Sequence, residues 1–503
     1  MSISLSQPET ALEEDLNLLA IKQRSVAGLM VLISRSVFLQ LVALAGFFFL
    51  TTFLEVAQIG LFFAVSEIVA ILGYFSDIGL AAALIQRKES LKLVDIRTTF
   101  TIQQILVTGL CLFVFFFSPK ISSYFNLDSH GQWLLWALTL GFFLASLKTI
   151  PSVLLERQLK FDKLVVVETI ETVLFYVIAV ILAWQGRGVI SYAVAVVVRG
   201  LVGVIAIWVL SPWKIGLAFS LSTIKQLLGF GVPYQVNTLI AMVKDRFLNL
   251  LLFKLIGAQG MGIIGWAQTW TQKPLRFITD NVTKVTFPAF SRLQSEPNTL
   301  THSVEKMLFF SSVIVFPILI GTGIIVHPLI DIIPRYQKWQ PALLAFYLYL
   351  FNSGWAAIST PITNTLAAIG QIKLVTKLMV MWTVLTWLII APLAYFYGYN
   401  GVAVGVAIVS ISSVVPIWLL SRIIKFSIYK NIILPLISSI VMGLGVWMII
   451  AWFPSSDNFL AGVFKILVSV IGGVIIYSVV LHLITGKQLI PQIKLFLKAF
   501  RSQ

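Results

Sequence analysis

Long apolar runs separated by short polar gaps recur along the whole chain. A helix needs about 20 apolar residues to cross the hydrocarbon core of a bilayer, and most runs reach that length. Fourteen can be drawn, at roughly 26–50, 55–76, 98–117, 133–152, 164–184, 189–210, 227–253, 259–282, 307–327, 342–368, 374–395, 401–421, 432–453 and 460–484. The pattern predicts an all-α, polytopic integral membrane protein with fourteen transmembrane helices.

Basic residues are divided unevenly between the two sides of these predicted helices. Most Lys and Arg residues lie near the termini and in alternate gaps, which we call the basic-rich face. The opposite gaps, the basic-poor face, hold only Lys120, Arg187, Lys254, Arg335 and Lys338. Because positively charged loops stay on the cytoplasmic side during insertion, we expect a bacterial inner-membrane protein with both termini in the cytoplasm.

Composition excludes several classes of protein. With 58% apolar residues, 11% charged residues and a mean hydropathy of +0.96, the chain lacks the charged surface of a soluble globule, which is usually about a quarter of its residues. The net charge of +16 is therefore read as a topology signal, and no nucleic-acid partner is expected. Cys111 is the single cysteine, so an internal disulfide is excluded. The four histidines form no ligand-spaced cluster, and we expect no metal and no cofactor.

Two stretches of the chain resemble each other in hydropathy. Sliding 1–210 onto 225–424 by about 202 residues matches Gly60 with Gly262, and Pro151 falls near Pro361. Two copies with the same membrane orientation describe a parallel repeat, with a transport path between them. The predicted units are a cytoplasmic segment 1–25, a first lobe 26–210, a linker 211–226 along the membrane surface, a second lobe 227–424, two further helices within 431–485 and an amphipathic interfacial helix 486–503.

Ionisable residues inside the apolar runs are few, and basic ones are prominent among them. Each costs about 2.5 to 3.5 kcal/mol on insertion scales and so needs a partner, water or a function. They include the basic residues Arg35, Lys148, Arg199, Lys244, Arg246 and Lys273 and the acidic residues Glu67, Asp77, Glu168, Glu171, Asp245 and Asp280. One interpretation is a water-filled cavity that holds a phosphate. The other is that Arg35 and Arg199 neutralise Glu67, Glu168 or Glu171 in buried pairs and that Lys148 snorkels to the nearby membrane edge.

Polar residues also recur at helical spacing in two of the runs. Thr269, Lys273, Arg276 and Asp280 form one line, with Gln268 and Gln272 beside it; Asn352, Ser359 and Thr363 form another. Such lines could face a hydrophilic path for a sugar, or they could hydrogen-bond between helices. The predicted substrate-binding residues are Arg35, Arg199, Lys244, Arg246, Gln268, Gln272, Lys273 and Asn352.

Acidic residues could couple transport to an ion. Glu168 and Glu171 lie at i and i+3 in one run. They could bind H⁺ or Na⁺, or could pair with Lys160 or Lys163, and pairing is the favoured interpretation. The candidate ion-coupling residues are Glu67, Asp77, Glu168, Glu171 and Asp245.

Four stretches that we assign to loops on the basic-rich face carry a family resemblance. They are "FSDIGLAAALIQRKE" (75–89), "PSVLLERQLKFDKL" (151–164), "FPAFSRLQ" (287–294) and "LAAIGQIK" (366–373). They resemble bacterial Wzx-type polysaccharide exporters, which belong to one superfamily with MATE drug exporters and the lipid II flippase. The resemblance implies two six-helix lobes around a central cavity, two extra helices, and an undecaprenyl-pyrophosphate-linked oligosaccharide as substrate. Arg35, Arg199 and Arg246 match the cationic lumen that is usual in this family.

The seventh run departs from the family pattern. Related sequences often carry an acid followed by Asn near its exit, whereas this chain reads "DRFLNLLLFKLIG", with Leu248 before Asn249 and the acid at Asp245. An ion-coupling role for this run is therefore in doubt.

Two other functions are weighed against export of a lipid-linked glycan. A MATE-like exporter of cationic drugs should concentrate carboxylates in its cavity, and the prominent basic residues argue against it. A glycosyltransferase or polymerase would need a large loop with paired acids, which the short gaps exclude, so no enzyme activity is expected. Besides the glycan and membrane lipid, a polysaccharide polymerase and a chain-length regulator are candidate partners.

Overall fold

Helices make up every regular element of the residues that the structure describes. The computed structural model covers residues 37–77, 79–86, 91–225, 242–453 and 459–485, without the side chains of Asp77, Ala82 and Gln86. The predicted segment 1–25, Arg35, the start of the seventh run and the interfacial helix 486–503 lie outside these ranges. Eleven of the described helices are long and apolar enough to cross a membrane, which agrees with a polytopic membrane protein.

The first lobe contains seven described helices. They are α1 (Val37–Phe53), α2 (Val56–Asp77), α3 (Leu80–Gln86), α4 (Leu93–Phe125), α5 (Ser129–Arg157), α6 (Phe161–Trp184) and α7 (Ile190–Leu210). The described residues after the linker include α8 (Leu248–Arg292), α9 (Pro297–Ile332), α10 (Leu343–Ala368), α11 (Ile372–Leu385), α12 (Ala391–Ile411), α13 (Val414–Ser421), α14 (Leu434–Trp452) and α15 (Phe459–Thr485).

Two continuous helical stretches are too long for one membrane crossing. Val243–Arg292 and Ile372–Ser421 each contain 50 residues, about twice the length that a bilayer core requires. Each is broken by a glycine with a left-handed backbone, Gly257 at φ 67° and Gly398 at φ 61°. Glycine adopts this conformation without the steric cost that a Cβ adds, so each stretch can contain two crossings. The total of fourteen spans stays a prediction.

The two lobes meet where α2 crosses the part of α8 that follows Gly257. A Cβ on Gly60 would overlap the carbonyl oxygen of Ala258, and a Cβ on Gly262 would overlap that of Val56. The 202-residue offset relates Gly60 to Gly262 and Val56 to Ala258, so it converts one contact into the other and the crossing is reciprocal about the axis between the lobes. Small residues allow backbones to approach this closely. We call this contact the glycine crossing.

A second contact closes the basic-poor face beside the glycine crossing. The loop between α9 and α10 covers the end of α1: Lys338 Nζ donates to the carbonyls of Thr52 at 3.0 Å and Leu54 at 2.6 Å, and Trp339 Nε1 donates to that of Thr51 at 3.0 Å. The hydroxyls of Thr51 and Tyr336 are 2.9 Å apart, and burial raises the pKa of Tyr336. These donors satisfy carbonyls that a helix end leaves unpaired, and they join the lobes.

The linker after α7 is attached to the first lobe. Thr223 Oγ1 donates to Asp95 Oδ1 at 2.8 Å, and the Ala218 amide donates to Thr101 Oγ1 at 3.2 Å. On the other side of this extended segment, Leu217 and Phe219 are exposed. That exposure suits a segment next to lipid, but its predicted place along the membrane surface is not tested.

Candidate functional site

A polar cavity of about 670 Å³ lies mainly within the second half of the chain. The turn before α8 and helices α8, α10, α11 and α12 surround it, and α2 contributes Phe63 and Glu67 from the first lobe. Of the predicted substrate-binding residues, six line it: Lys244, Arg246, Gln268, Gln272, Lys273 and Asn352. The structure therefore gathers side chains from three predicted helices into one space.

Positive side chains outnumber negative ones in the lining of this cavity. Lys244, Arg246, Lys273 and Arg276 face two carboxylates, Glu67 and Asp245. Ion pairs neutralise two of these basic side chains. Arg246 Nη1 lies 2.6 Å from Glu67 Oε2, and Lys244 Nζ lies 3.5 Å from Asp245 Oδ1. Since Lys273 and Arg276 have no carboxylate partner in the described part of the chain, they form the positive centre of the cavity.

The Arg246–Glu67 pair connects the two lobes. Asn249 Nδ2 also donates to Glu67, at 3.1 Å from Oε1, so both carboxylate oxygens are satisfied. The Glu67 side chain is 16% exposed, whereas that of Arg246 is 46% exposed, so the pair lies at the cavity wall. Arg246 therefore both lines the cavity and forms an ion pair across the lobes.

The backbone turn that carries Lys244, Asp245 and Arg246 is wider than an α-helical turn. Val243–Phe247 forms a π-helical turn, and a second one, Thr386–Ile390, borders the same cavity through Thr386 and Ile390. Such wide turns change which way successive side chains point and occur often at functional sites. Because π turns leave no regular sequence spacing, the sequence pattern does not predict them.

A smaller cavity of about 310 Å³ shares Lys273 and Arg276 with the first one. Gln40 of α1 and the α8 residues Phe277, Asp280, Asn281 and Lys284 complete its lining. The predicted polar line on α8 thus contributes to two cavities, and Lys273 and Arg276 border both. Lys273 Nζ is also 5.3 Å from the centre of the Phe47 ring, which places it against α1.

Several residues of the site escaped sequence reasoning. Gln268 Nε2 donates to Tyr349 Oη at 3.0 Å, so this amide is held by a tyrosine that no periodicity singled out. Gln40 lies on α1, whose polar residues are too sparse to form a line. The Thr363 hydroxyl donates to the Ser359 carbonyl. Ser359 lines the cavity, whereas Thr363 does not.

Arg199 lies outside the described cavity lining. It belongs to α7 in the first lobe, where its guanidinium carbon is 5.8 Å from the centre of the Phe175 ring. The cation–π contact gives it a partner other than the predicted carboxylates. Arg35 and the Asp77 side chain lie outside the described residues, so their predicted roles are untested.

Glu171 of α6 pairs with a lysine other than the predicted Lys160 or Lys163. Glu171 forms an ion pair with Lys148 of α5, so Lys148 does not snorkel to the membrane edge. Lys163, a predicted partner of Glu171, donates instead to the Leu210 carbonyl at 3.0 Å. Glu171 fits because Gly203 has no side chain: a Cβ there would overlap its carboxylate. A local sequence rule could not find this pair, since its members lie on different helices.

The Lys148–Glu171 pair should stabilise the first lobe. The side chains are 18% and 8% exposed, and removing one partner of a buried pair costs about 3 kcal/mol or more because it leaves the other charge unpaired. We therefore expect Glu171→Leu to lower the thermal unfolding midpoint in detergent by several degrees. The double variant Lys148→Met with Glu171→Leu should recover most of the loss. A single variant as stable as the parent would show that the pair does not hold the lobe.

Comparisons with known proteins find relatives that match most of the chain. The sequence profile of the polysaccharide biosynthesis protein family matches residues 49–343. The chain is 25% identical over 385 residues to lipopolysaccharide biosynthesis protein WzxC of Escherichia coli (strain K12), covering 75% of this chain and 77% of WzxC. It is 25% identical over 301 residues to teichuronic acid biosynthesis protein TuaB of Bacillus subtilis (strain 168), covering 59% of this chain and 58% of TuaB.

A solved structure shares the fold. The inward closed conformation of the lipid II flippase MurJ superposes with a TM-score of 0.71 at 16% sequence identity, covering 90% of this chain and 98% of MurJ. This likeness shows the fold, and the family match together with WzxC confirms the resemblance to the Wzx-type family.

Proposed function

Because this chain belongs to the polysaccharide biosynthesis protein family, we propose that it moves a lipid-linked oligosaccharide from the cytoplasmic to the periplasmic leaflet of a bacterial inner membrane. The observation that carries the proposal is the position of Lys273 and Arg276, two cations without carboxylate partners in the described chain that border both cavities. Moving a charged headgroup into an apolar helix bundle requires such groups to replace its water.

The proposed substrate is an oligosaccharide on undecaprenyl pyrophosphate. A guanidinium presents paired donors to phosphate oxygens and an ammonium adds a compact charge. Arg276 and Lys273 would supply one of each. Gln272, Asn352 and Thr360 also line the larger cavity and would replace hydrogen bonds that sugar hydroxyls lose on leaving water. The polyprenyl chain would stay in lipid, so no covalent bond changes.

The proposed mechanism is alternating access. The glycine crossing and the loop over α1 close the basic-poor face, which would be the periplasmic side by the distribution of basic loops. The substrate would enter the cavity from the cytoplasm. Separation of the lobes at the glycine crossing would then release the headgroup, and the Arg246–Glu67 pair would be broken or rearranged in that step.

Ion coupling and protein partners are further parts of the proposal. Glu67 and Asp245 line the cavity and already pair with basic residues, so an H⁺ or Na⁺ that binds there would compete with Arg246 and Lys244. Glu168 and Glu171 line a separate space of about 320 Å³ in the first lobe. A polysaccharide polymerase and a chain-length regulator would receive the delivered unit.

A MATE-like exporter of cationic drugs is the alternative function. A cationic cargo would meet four basic and two acidic side chains in the described cavity, and like charges in a poorly hydrated space repel strongly. The charge of the cavity therefore favours an anionic headgroup.

The test measures which leaflet holds the lipid-linked unit. In a strain that lacks this protein, we expect the undecaprenyl-linked repeat unit to accumulate in the cytoplasmic leaflet, where a membrane-impermeant glycan-oxidising reagent labels it in inverted vesicles. Restoring the protein should move it to the periplasmic leaflet. An unchanged distribution in the deletion strain, at normal levels of the lipid-linked unit, would contradict the proposal.

A further inference from the structure

A pocket on the basic-poor face is lined by two of the five basic residues that lie in the loops of that face. Its volume is about 420 Å³, and it is lined by the loop between α4 and α5, the loop between α6 and α7, the start of α2 and the break in α8. Arg187 enters from the first lobe and Lys254 from the second. A face that is generally poor in positive charge thus places cations from both lobes around one space.

The two cations are available to a ligand. Asp128 is the acidic residue of the pocket lining, and its oxygens are engaged: Oδ1 accepts from the Gly131 amide at 2.8 Å, and Oδ2 lies 3.4 Å from His130 Nδ1. Neither Arg187 nor Lys254 has a carboxylate partner within the residues described. Lys254 Nζ lies 3.2 Å from the centre of the Tyr124 ring, which holds the ammonium in place without neutralising it.

Backbone geometry adds positive potential to the same space. Gly188 and Val189 precede the first turn of α7, and Gly257 precedes the part of α8 that starts at Ala258. Helix starts carry a partial positive charge, which favours oxyanions. Gly186 and Gly257 have positive φ, and no atom lies within 4 Å of the place a Cβ would take, so a ligand can approach the backbone there.

We propose that this pocket binds a phosphate group between the lobes. Arg187 would supply a fork of donors and Lys254 a point charge, the combination that suits a tetrahedral oxyanion. Ala258 lines the pocket and its carbonyl also packs on Gly60 in the glycine crossing, so a phosphate that bridges the lobes stabilises the closed state of this face. The phosphate can come from solution or from a lipid headgroup. This site lies apart from the central cavity and goes beyond the proposed transport function.

The test reports the charge of the pocket directly. In a Cys111→Ser background, Ala57→Cys places one thiol in the pocket lining. The measured quantity is the rate of modification by a negatively charged methanethiosulfonate divided by the rate with a positively charged one. We expect this ratio to be roughly tenfold higher than in the variant that also carries Arg187→Gln and Lys254→Gln, because a cationic cleft concentrates anions. The matched control, Lys120→Gln with Arg335→Gln, removes two charges of the same face outside the pocket lining and should keep the preference.

Protection by phosphate identifies the ligand and its source. Millimolar inorganic phosphate should slow modification of the purified protein in detergent, and only while Arg187 and Lys254 are present. If anionic phospholipid in nanodiscs protects and inorganic phosphate does not, the ligand is a lipid headgroup, which also supports the site. No protection by either, or equal protection after both substitutions in the pocket, overturns the proposal. Because the readout needs no export, its failure is separate from failure of the transport function.

Discussion

Replacing Gly60 by alanine should abolish tight closure of the basic-poor face and reduce export of the lipid-linked unit at least tenfold. The added Cβ would overlap backbone atoms of Ala258 and Gly262, which cannot turn aside as a flexible side chain can. Overpacking of this kind costs about 1 to 3 kcal/mol, and about 1.4 kcal/mol changes a two-state population tenfold. Gly262→Ala should have the same effect, because its Cβ meets the backbone of Val56.

The measurement is the reactivity of a cysteine that only an open face exposes. Thr51 is 0% exposed beneath Trp339, so Thr51→Cys in a Cys111→Ser background should react slowly with an impermeant thiol reagent and faster after Gly60→Ala. The matched control is Gly109→Ala in α4, where no atom lies within 4 Å of the added Cβ. If Gly60→Ala leaves both reactivity and export unchanged, the glycine crossing does not control access.

Removing both unpaired cations of the central cavity should reduce export by roughly 100-fold or more. Hydrogen bonds to charged groups contribute about 1.5 to 3 kcal/mol each, and Lys273 and Arg276 are the cations without carboxylate partners in the described lining. The variant is Lys273→Gln with Arg276→Gln, and the measurement is periplasmic delivery of the repeat unit at equal protein level. Lys273→Arg keeps the charge and should retain most of the activity.

The control for this prediction lies on a neighbouring helix. Lys373 and Lys377 of α11 are exposed and line neither of the two cavities bordered by Lys273 and Arg276, so Lys373→Gln with Lys377→Gln removes the same charge from the basic-rich face. Export by this control should stay within about twofold of the parent, since screened surface charges act weakly at a distance. Equal loss in both double variants would mean that net charge, and not the cavity, limits export.

Much of the fold and part of the site follow from patterns within single helices. Apolar length predicts the helices, and the spacing of Thr269, Lys273 and Arg276 predicts one wall of the cavity. The 202-residue offset in the sequence matches Gly60 with Gly262, and the structure brings these two residues into contact. These predictions succeed because a helix fixes which residues share a face.

Features that depend on which helices are neighbours could not be predicted in this way. Lys148 and Glu171 lie on different helices, and their sequence separation carries no signal of contact. Tyr349 reaches Gln268 only because α10 packs on α8. The π turn at Val243–Phe247 shifts Lys244 and Arg246 from the positions of a regular helix. Tertiary packing decides each of these, and a pattern of single residues does not contain it.

The reciprocity of the glycine crossing bears on how such a chain could arise. Each lobe presents the same patch to the other, Val56 with Gly60 against Ala258 with Gly262, which is how the identical subunits of a two-fold homodimer meet. A half-length ancestor with this patch could have paired with a copy of itself. Duplication and fusion of its gene would then have preserved the contact without requiring a new surface.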